Sequence, residues 1–152
     1  MKAGAFARAN DLLVTDARSP RIFRVAVEVF DLARGVAFYS ALLGSPGRAI
    51  RGGSRHYFDC GPVILALIDV AGSGRTVAPH AREFYFAVGD LEAVHARAKS
   101  LGCLSAQDVH EESGGEIVER PWGERSFYAV DPFGNELCFV DETTLFTGNA
   151  TS

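Results

Sequence analysis

Eight side chains in this 152-residue chain could take part in binding or chemistry: Arg24, Glu28, His56, Glu83, Tyr85, Trp122, Tyr128 and Cys138. A carboxylate such as Glu83 can hold a metal, balance a cation or move a proton, and Tyr85 can stack on a ligand or donate its phenol proton. These two are the candidates for acid or base work. Trp122, the only tryptophan, could close over a flat ligand or staple its own Pro-Trp-Gly turn. Cys138 could present a thiolate or sit as a buried, inert thiol. Of the four histidines, His80 falls in a linker, His95 in mid-helix and His110 on an irregular strand. His56 is therefore the one expected near a cleft, as a ligand residue or a hydrogen-bonded structural one. No Ser-His-Asp arrangement, phosphate loop or dinucleotide fingerprint is present, and GSGR at Gly72–Arg75 reads as linker.

The elements that must position these residues come from a repeat. FRVAVEVFDLARGVAFYSALLG, beginning at Phe23, returns in altered form as FYFAVGDLEAVHARAKSLG, beginning at Phe84. Each copy is an alternating strand, an Asp-Leu helix start, an amphipathic helix and a Leu-Gly stop, with Asp31 and Asp90 as matched caps 59 residues apart. Arg24 and Glu83 occupy the same position in the two copies, each seven residues before its Asp. Helices are expected from Asp31 to Leu42 and from Asp90 to Leu101, the second burying Leu91, Val94, Ala98 and Leu101. Further strands are expected near 45–50, 54–59 and 63–70, then near 104–112, 116–119, 125–130 and 136–141. DPFGN at Asp131–Asn135 is a hairpin turn between the last two.

The implied organisation is an appendage over 1–21, a βαβββ module over 22–71, a linker over 72–81, a second module over 82–146 and a tail over 147–152. A short helix near Asn10–Val14 is expected within the appendage. The fold class is α+β, two tandem βαβββ modules with a cleft between the halves; that they curl a mixed sheet around it is what the family resemblance given below implies. If each helix covers the apolar face of its first strand, Arg24, Ala26 and Glu28 point into the cleft, as do Glu83, Tyr85 and Ala87.

Bulk properties narrow the partners. A net charge of −4 and pI near 5.5 argue against nucleic acid, and no apolar run is long enough to span a membrane. Three cysteines without CxxC spacing suit reduced thiols in a cytoplasmic protein.

With the βαβββ repeat and the string RPWGERSFYAVDPFGNELCFVD in view, the chain resembles the vicinal oxygen chelate superfamily over about residues 22–146. Glyoxalase I, extradiol dioxygenases, fosfomycin-resistance proteins and bleomycin-binding proteins belong to it, and the glyoxalase/bleomycin-resistance branch is the most similar. The resemblance implies a cleft between half-barrels, a homodimer, and in metal-dependent members one divalent ion held from the first and last strands of both modules. The strand-one positions of that pattern are Arg24 and Glu83. The last-strand positions, counted four residues past the turn glycine, are Leu65 and Cys138. Arginine and leucine cannot ligate a metal, so the expectation is a metal-free protein that binds a small organic molecule, with Arg24 and Glu83 paired on the cleft floor. The alternative is a metal-dependent lyase, isomerase or dioxygenase whose ligands begin with Glu83 and His56. A third reading is a metal-free enzyme using Glu83 or Tyr85.

Overall fold

The computed structural model describes residues 22–80 and 83–148. The appendage with its expected helix near Asn10–Val14, the boundary at 81–82 and the last residues of the tail lie outside the described residues.

The first module runs β1 (Arg24–Val29), α1 (Leu32–Leu43), β2 (Arg48–Ala49), β3 (Arg55–Cys60) and β4 (Val63–Asp69). Its sheet has the order β1-β4-β3-β2, with β1 parallel to β4 and the other pairs antiparallel. The second module runs β5 (Phe84–Val88), α2 (Leu91–Leu101), β6 (Asp108–Val109), β7 (Glu112–Ser113), β8 (Val118–Glu119), β9 (Arg125–Val130) and β10 (Glu136–Asp141). Its main sheet repeats the first in the order β5-β10-β9-β8, and β6 and β7 form a separate small hairpin. The strand expected over 104–112 is thus mostly irregular. Leu104 makes a single bridge to Ala129, and His110 and Glu111 turn the hairpin with φ of 54° and 67°.

Both helices are capped as their sequences direct. The Asp31 carboxylate accepts from Arg34 N at 3.1 Å and that of Asp90 from Ala93 N at 3.0 Å. Gly44 and Gly102 close them in the left-handed conformation that costs glycine least. Leu101 departs from the expected stripe: it is 37% exposed, because the buried face of α2 ends at Ala98.

One core joins the modules. Val27, Val29, Leu65 and Leu67 of the first sheet, with Phe38, Tyr39 and Leu42 of α1, pack in a single cluster with Val94, Ala98, Phe127, Leu137 and Phe139. At the seam Phe133 meets Phe30 edge to face at 5.1 Å, and the buried Tyr39 hydroxyl donates to Asp131 Oδ2 at 2.6 Å. The linker is tied down as well. His80 N donates to Asn135 Oδ1 at 2.8 Å, and its ring Nε2 lies 2.6 Å from the Ala26 carbonyl. Each sheet therefore gives its helix-facing side to the shared core and, among the described residues, has its other side outside that core.

Candidate functional site

Strand pairing defines the open faces. In the first sheet Val25, Val27 and Val29 lie beside Leu65, Leu67 and Asp69, so Arg24, Ala26 and Glu28 project from the other side with Ile64, Ala66 and Ile68. In the second, Phe84, Phe86 and Val88 pack toward the core, leaving Glu83, Tyr85 and Ala87 on the open side.

The register corrects one sequence reading. Leu65 is 4% exposed in the shared core, and its counterpart is Leu137. The residue matching Cys138 is Ala66: Ala66 lies opposite Ala26 and Tyr57, as Cys138 lies opposite Tyr85 and Tyr128. The count slipped because the glycines sit in unlike turns. Gly61 belongs to a two-residue hairpin in which Cys60 pairs Val63, whereas Gly134 is the fourth residue of the longer loop between Val130 and Glu136.

Three of the other candidates do not stand free in an open cleft. His56 is on the helix side of β3, opposite Leu67, with its Nε2 2.9 Å from the Pro46 carbonyl and its ring against Phe58. It shares the parity of Phe58, which is fully buried, so it turns away from the open face. Glu28 is on the open face, but its carboxylate pairs with Arg75 at 2.9 Å and accepts from Ala78 N at 3.0 Å. Those two hydrogen bonds, Arg75 first, hold its pKa below the usual glutamate value. Arg24 lies over the rings of Phe23 and Tyr57, at 4.9 and 5.7 Å, and no ion pair joins it to Glu83 within the described residues of one chain. His95, in the middle of α2, is half-buried, its Nε2 2.8 Å from the Gly115 carbonyl and its ring edge-on to Phe127.

The other candidates gather on the open face of the second sheet. Tyr128, Cys138 and Tyr85 form one row across β9, β10 and β5. Tyr85 is 62% exposed, while Tyr128 and Cys138 are buried in a small cluster with Val140. Burial is the largest cause pushing the Cys138 thiol up to about 11, and it raises both tyrosine hydroxyls. These groups are neutral at physiological pH, so the row offers polarity and ring faces rather than a nucleophile.

Arg120 and Glu124 are not among the candidates that the sequence singles out. Arg120 is 2% exposed, with Nε donating to Ser126 Oγ at 3.0 Å, Nη2 to Ser126 O at 3.1 Å and its guanidinium 5.2 Å from the Tyr128 ring centre. Glu124 is 9% exposed, accepting from Trp122 Nε1 and from Phe146 N, both at 2.8 Å. The available signal was parity. Val118 pairs Ser126, and Arg120 N reaches Glu124 O across the Pro-Trp-Gly turn, so these residues share the face of Ser126 and Tyr128. Trp122 stands at the edge of this face with its ring against His110 at 4.9 Å.

Two depressions flank the tyrosine row. One, of about 310 Å³, is lined by Glu83, Tyr128, Val130 and Glu136. The other, of about 450 Å³, is lined by Tyr85, Trp122, Glu124, Val140 and Phe146.

The four positions that would cage a metal between such modules carry Arg24, Ala66, Glu83 and Cys138. The types are the same whether the modules meet within one chain or between two. Two of them have no lone pair for a divalent ion, and the Cys138 thiol is held neutral, so this donor set does not fit. Among the described residues no three His, Cys, Asp or Glu side chains cluster as ligands elsewhere.

Residues 21–139 match the family model for the Glyoxalase/Bleomycin resistance protein/Dioxygenase superfamily. Among solved structures, the oxidase ChaP-H1 is similar over 86% of this chain and 100% of that one, at 22% identity and a TM-score of 0.67. A lactoylglutathione lyase from Agrobacterium tumefaciens is 24% identical over 82% of this chain and 95% of its own, with a TM-score of 0.59. A glyoxalase/bleomycin resistance protein from Albidiferax ferrireducens T118 is 23% identical over 78% and 95%, with a TM-score of 0.60. At these identities the likeness speaks for the fold alone. No curated protein sequence matches the chain.

Proposed function

Because the chain belongs to the glyoxalase/bleomycin resistance protein/dioxygenase superfamily, we propose that it binds a small organic molecule on the open face of its second sheet, without the divalent metal common in that superfamily. The carrying observation is the donor set at the four cage positions, Arg24, Ala66, Glu83 and Cys138, beside a face that keeps Tyr85 and Trp122 available for ring contacts. Glu83 and Tyr85 are the groups nearest to acid or base chemistry on that face. With both Cys138 and Tyr128 neutral, binding accounts for the arrangement more simply than turnover does.

The partner in this reading is a second copy of the chain. β1 and β5 are edge strands among the described residues, and Ile22, Phe23 and Tyr85 beside them are 71%, 52% and 62% exposed. Apolar surface on unpaired edges favours association. Arg24 on one edge and Glu83 on the other bring opposite charges to equivalent positions, so the pair absent within a chain can form between two.

Metal analysis of protein purified without added metal or chelator tests the first claim, and stoichiometric zinc, nickel, manganese or iron overturns it in favour of a metal-dependent lyase, isomerase or dioxygenase. A small-molecule thermal-shift screen tests binding, since a ligand of the native state raises the midpoint by mass action. For the dimer, Arg24→Glu should weaken association and Arg24→Glu with Glu83→Arg restore it in light-scattering measurements. A monomeric wild type ends that part of the reading.

A further inference from the structure

The depression between Trp122, Tyr85 and Phe146 has a chemical character beyond general small-molecule binding. Apart from Glu124 and Thr147 its lining is aromatic or aliphatic, and Glu124 is the only charged side chain among the described residues that line it. Tyr85 and Phe146 are 62% and 56% exposed, so two aromatic side chains of the lining remain accessible. Glu124 is nine-tenths buried, and its carboxylate meets two neutral donors, the Trp122 indole and the Phe146 amide, but among the described residues no cation within ion-pair distance. Arg120 does not serve. Arg120 is the cross-strand neighbour of Glu124, yet its guanidinium is directed at Ser126 and Ser113 and does not line the depression.

A desolvated carboxylate among ring faces attracts a positive charge twice over. The rings offer their negative faces and the carboxylate offers a charge-assisted hydrogen bond. A ligand carboxylate would instead meet Glu124 with like charge. We propose that this slot binds an organic cation, a protonated amine carried on a flat or compact apolar group, with Glu124 as its counter-ion and Trp122, Tyr85 and Phe146 as its walls. The proposal rests on the reading that the open face of the second sheet binds small molecules, and it adds the ligand class. The indole of Trp122 is held by Glu124 itself, so the acidic group that pairs with the cation also sets the angle of the wall. Phe146 N bonds the other carboxylate oxygen, which ties the segment after β10 to the same centre.

Three probes of one shape separate the outcomes: 3-phenylpropylamine, 3-phenylpropionamide and 3-phenylpropionate, positive, neutral and negative at pH 7. Trp122 is the chain's only tryptophan, so its emission reports this slot. The amine should perturb that emission with a dissociation constant at least about tenfold below that of the amide, equivalent to 1.4 kcal/mol, and the carboxylate should bind more weakly than either. Glu124→Gln, which keeps the acceptor and removes the charge, should abolish the preference for amine over amide and leave the amide's affinity within about twofold. Phe146→Ala should weaken amine and amide alike and keep their ratio. Equal affinities for amine and amide in the wild type overturn the cation assignment while leaving small-molecule binding intact, and that ratio decides even if Glu124→Gln does not fold. A wild type in which none of the three probes perturbs Trp122, and which gives no thermal-shift ligand, overturns both the slot and the binding reading beneath it.

Discussion

Arg120 and Glu124 are joined backbone to backbone, Arg120 N donating to Glu124 O at 2.7 Å, yet their side chains form no ion pair. One turns inward to Ser126 and Ser113, and the other turns toward Trp122 and Phe146. Two oppositely charged, nearly buried neighbours that ignore each other divide the open face into a cationic brace under Tyr128 and an acidic slot beside Tyr85. Pairing would have neutralised both, and a buried pair stripped of other partners gains little net free energy.

The brace is structural, and its removal should be costly. Arg120→Met keeps much of the volume but strands the Ser113 and Ser126 carbonyls, so a loss of about 2–3 kcal/mol in unfolding free energy is expected, the usual scale for hydrogen bonds to a charged group. Arg120→Lys should recover less than half of this, because a point charge cannot reproduce the planar fork. Urea denaturation measures both, and a change below about 0.5 kcal/mol for the Met variant contradicts the assignment.

Tyr39 and Asp131 bridge the modules beside their shared core. Burial first, and then Asp131, push the Tyr39 hydroxyl well above its usual range, so it stays protonated and remains the donor in the 2.6 Å bond. Tyr39→Phe should cost about 1–2 kcal/mol. The cost is limited because Asp131 keeps its bonds from Phe133 N, Asn135 N and Asn135 Nδ2. Unfolding of the variant should remain one transition, since the shared apolar core is untouched. Two separated transitions in calorimetry would mean that this bond, and not the core, couples the halves.

Acid should release the linker. The Glu28 carboxylate is held below its ordinary 4.5 by Arg75 and the Ala78 amide. A depressed folded pKa means that the contribution is complete above the unfolded value and is lost as pH falls through the folded one. The Ala78 amide signal in NMR should therefore titrate with a midpoint below 4.5, and Arg75→Gln should move that midpoint upward. A midpoint at or above 4.5 in the wild type refutes the linkage.

Thiol reactivity should follow burial. Burial pushes Cys103 and Cys138 up to about 11, while Cys60 is raised but half-buried. Native protein at pH 8 should be alkylated at Cys60 first, with Cys103 and Cys138 labelled only in denaturant, as peptide mapping by mass spectrometry would show. Rapid native labelling of Cys138 would mean that its row of tyrosines opens to solvent.

Alternation in RVAVEV and EFYFAV was enough to assign the core side of both first strands, because a period-two pattern leaves no third choice. The helix ends were equally legible, since an Asp cap and a glycine stop act within one turn of the chain. Inference failed where it crossed a loop. Leu65 was matched to Cys138 by counting from glycines in turns of different length, and one residue of slip moves a side chain to the opposite face. His56 was assigned to the wrong side of β3 for a related reason, because the irregular stretch before Arg55 offered no anchor for its parity. The burial of Arg120 was not legible, because residue type alone cannot announce that Ser126 and Ser113 will receive a guanidinium.

The amino-acid sequence by itself therefore determined the duplicated βαβββ scaffold, the ends of both helices, the face that each first strand buries and the unlike residue types, Arg24 and Glu83, at the matched position of the two copies. These depend on contacts within a few residues or on the chemistry of one side chain. Tertiary structure decided which residues share the open face: Ala66 opposite Ala26, Cys138 between Tyr85 and Tyr128, and Arg120 turned away from Glu124. Those relationships depend on strand register and on the burial of charge by residues distant in the chain, which only the packed fold brings together.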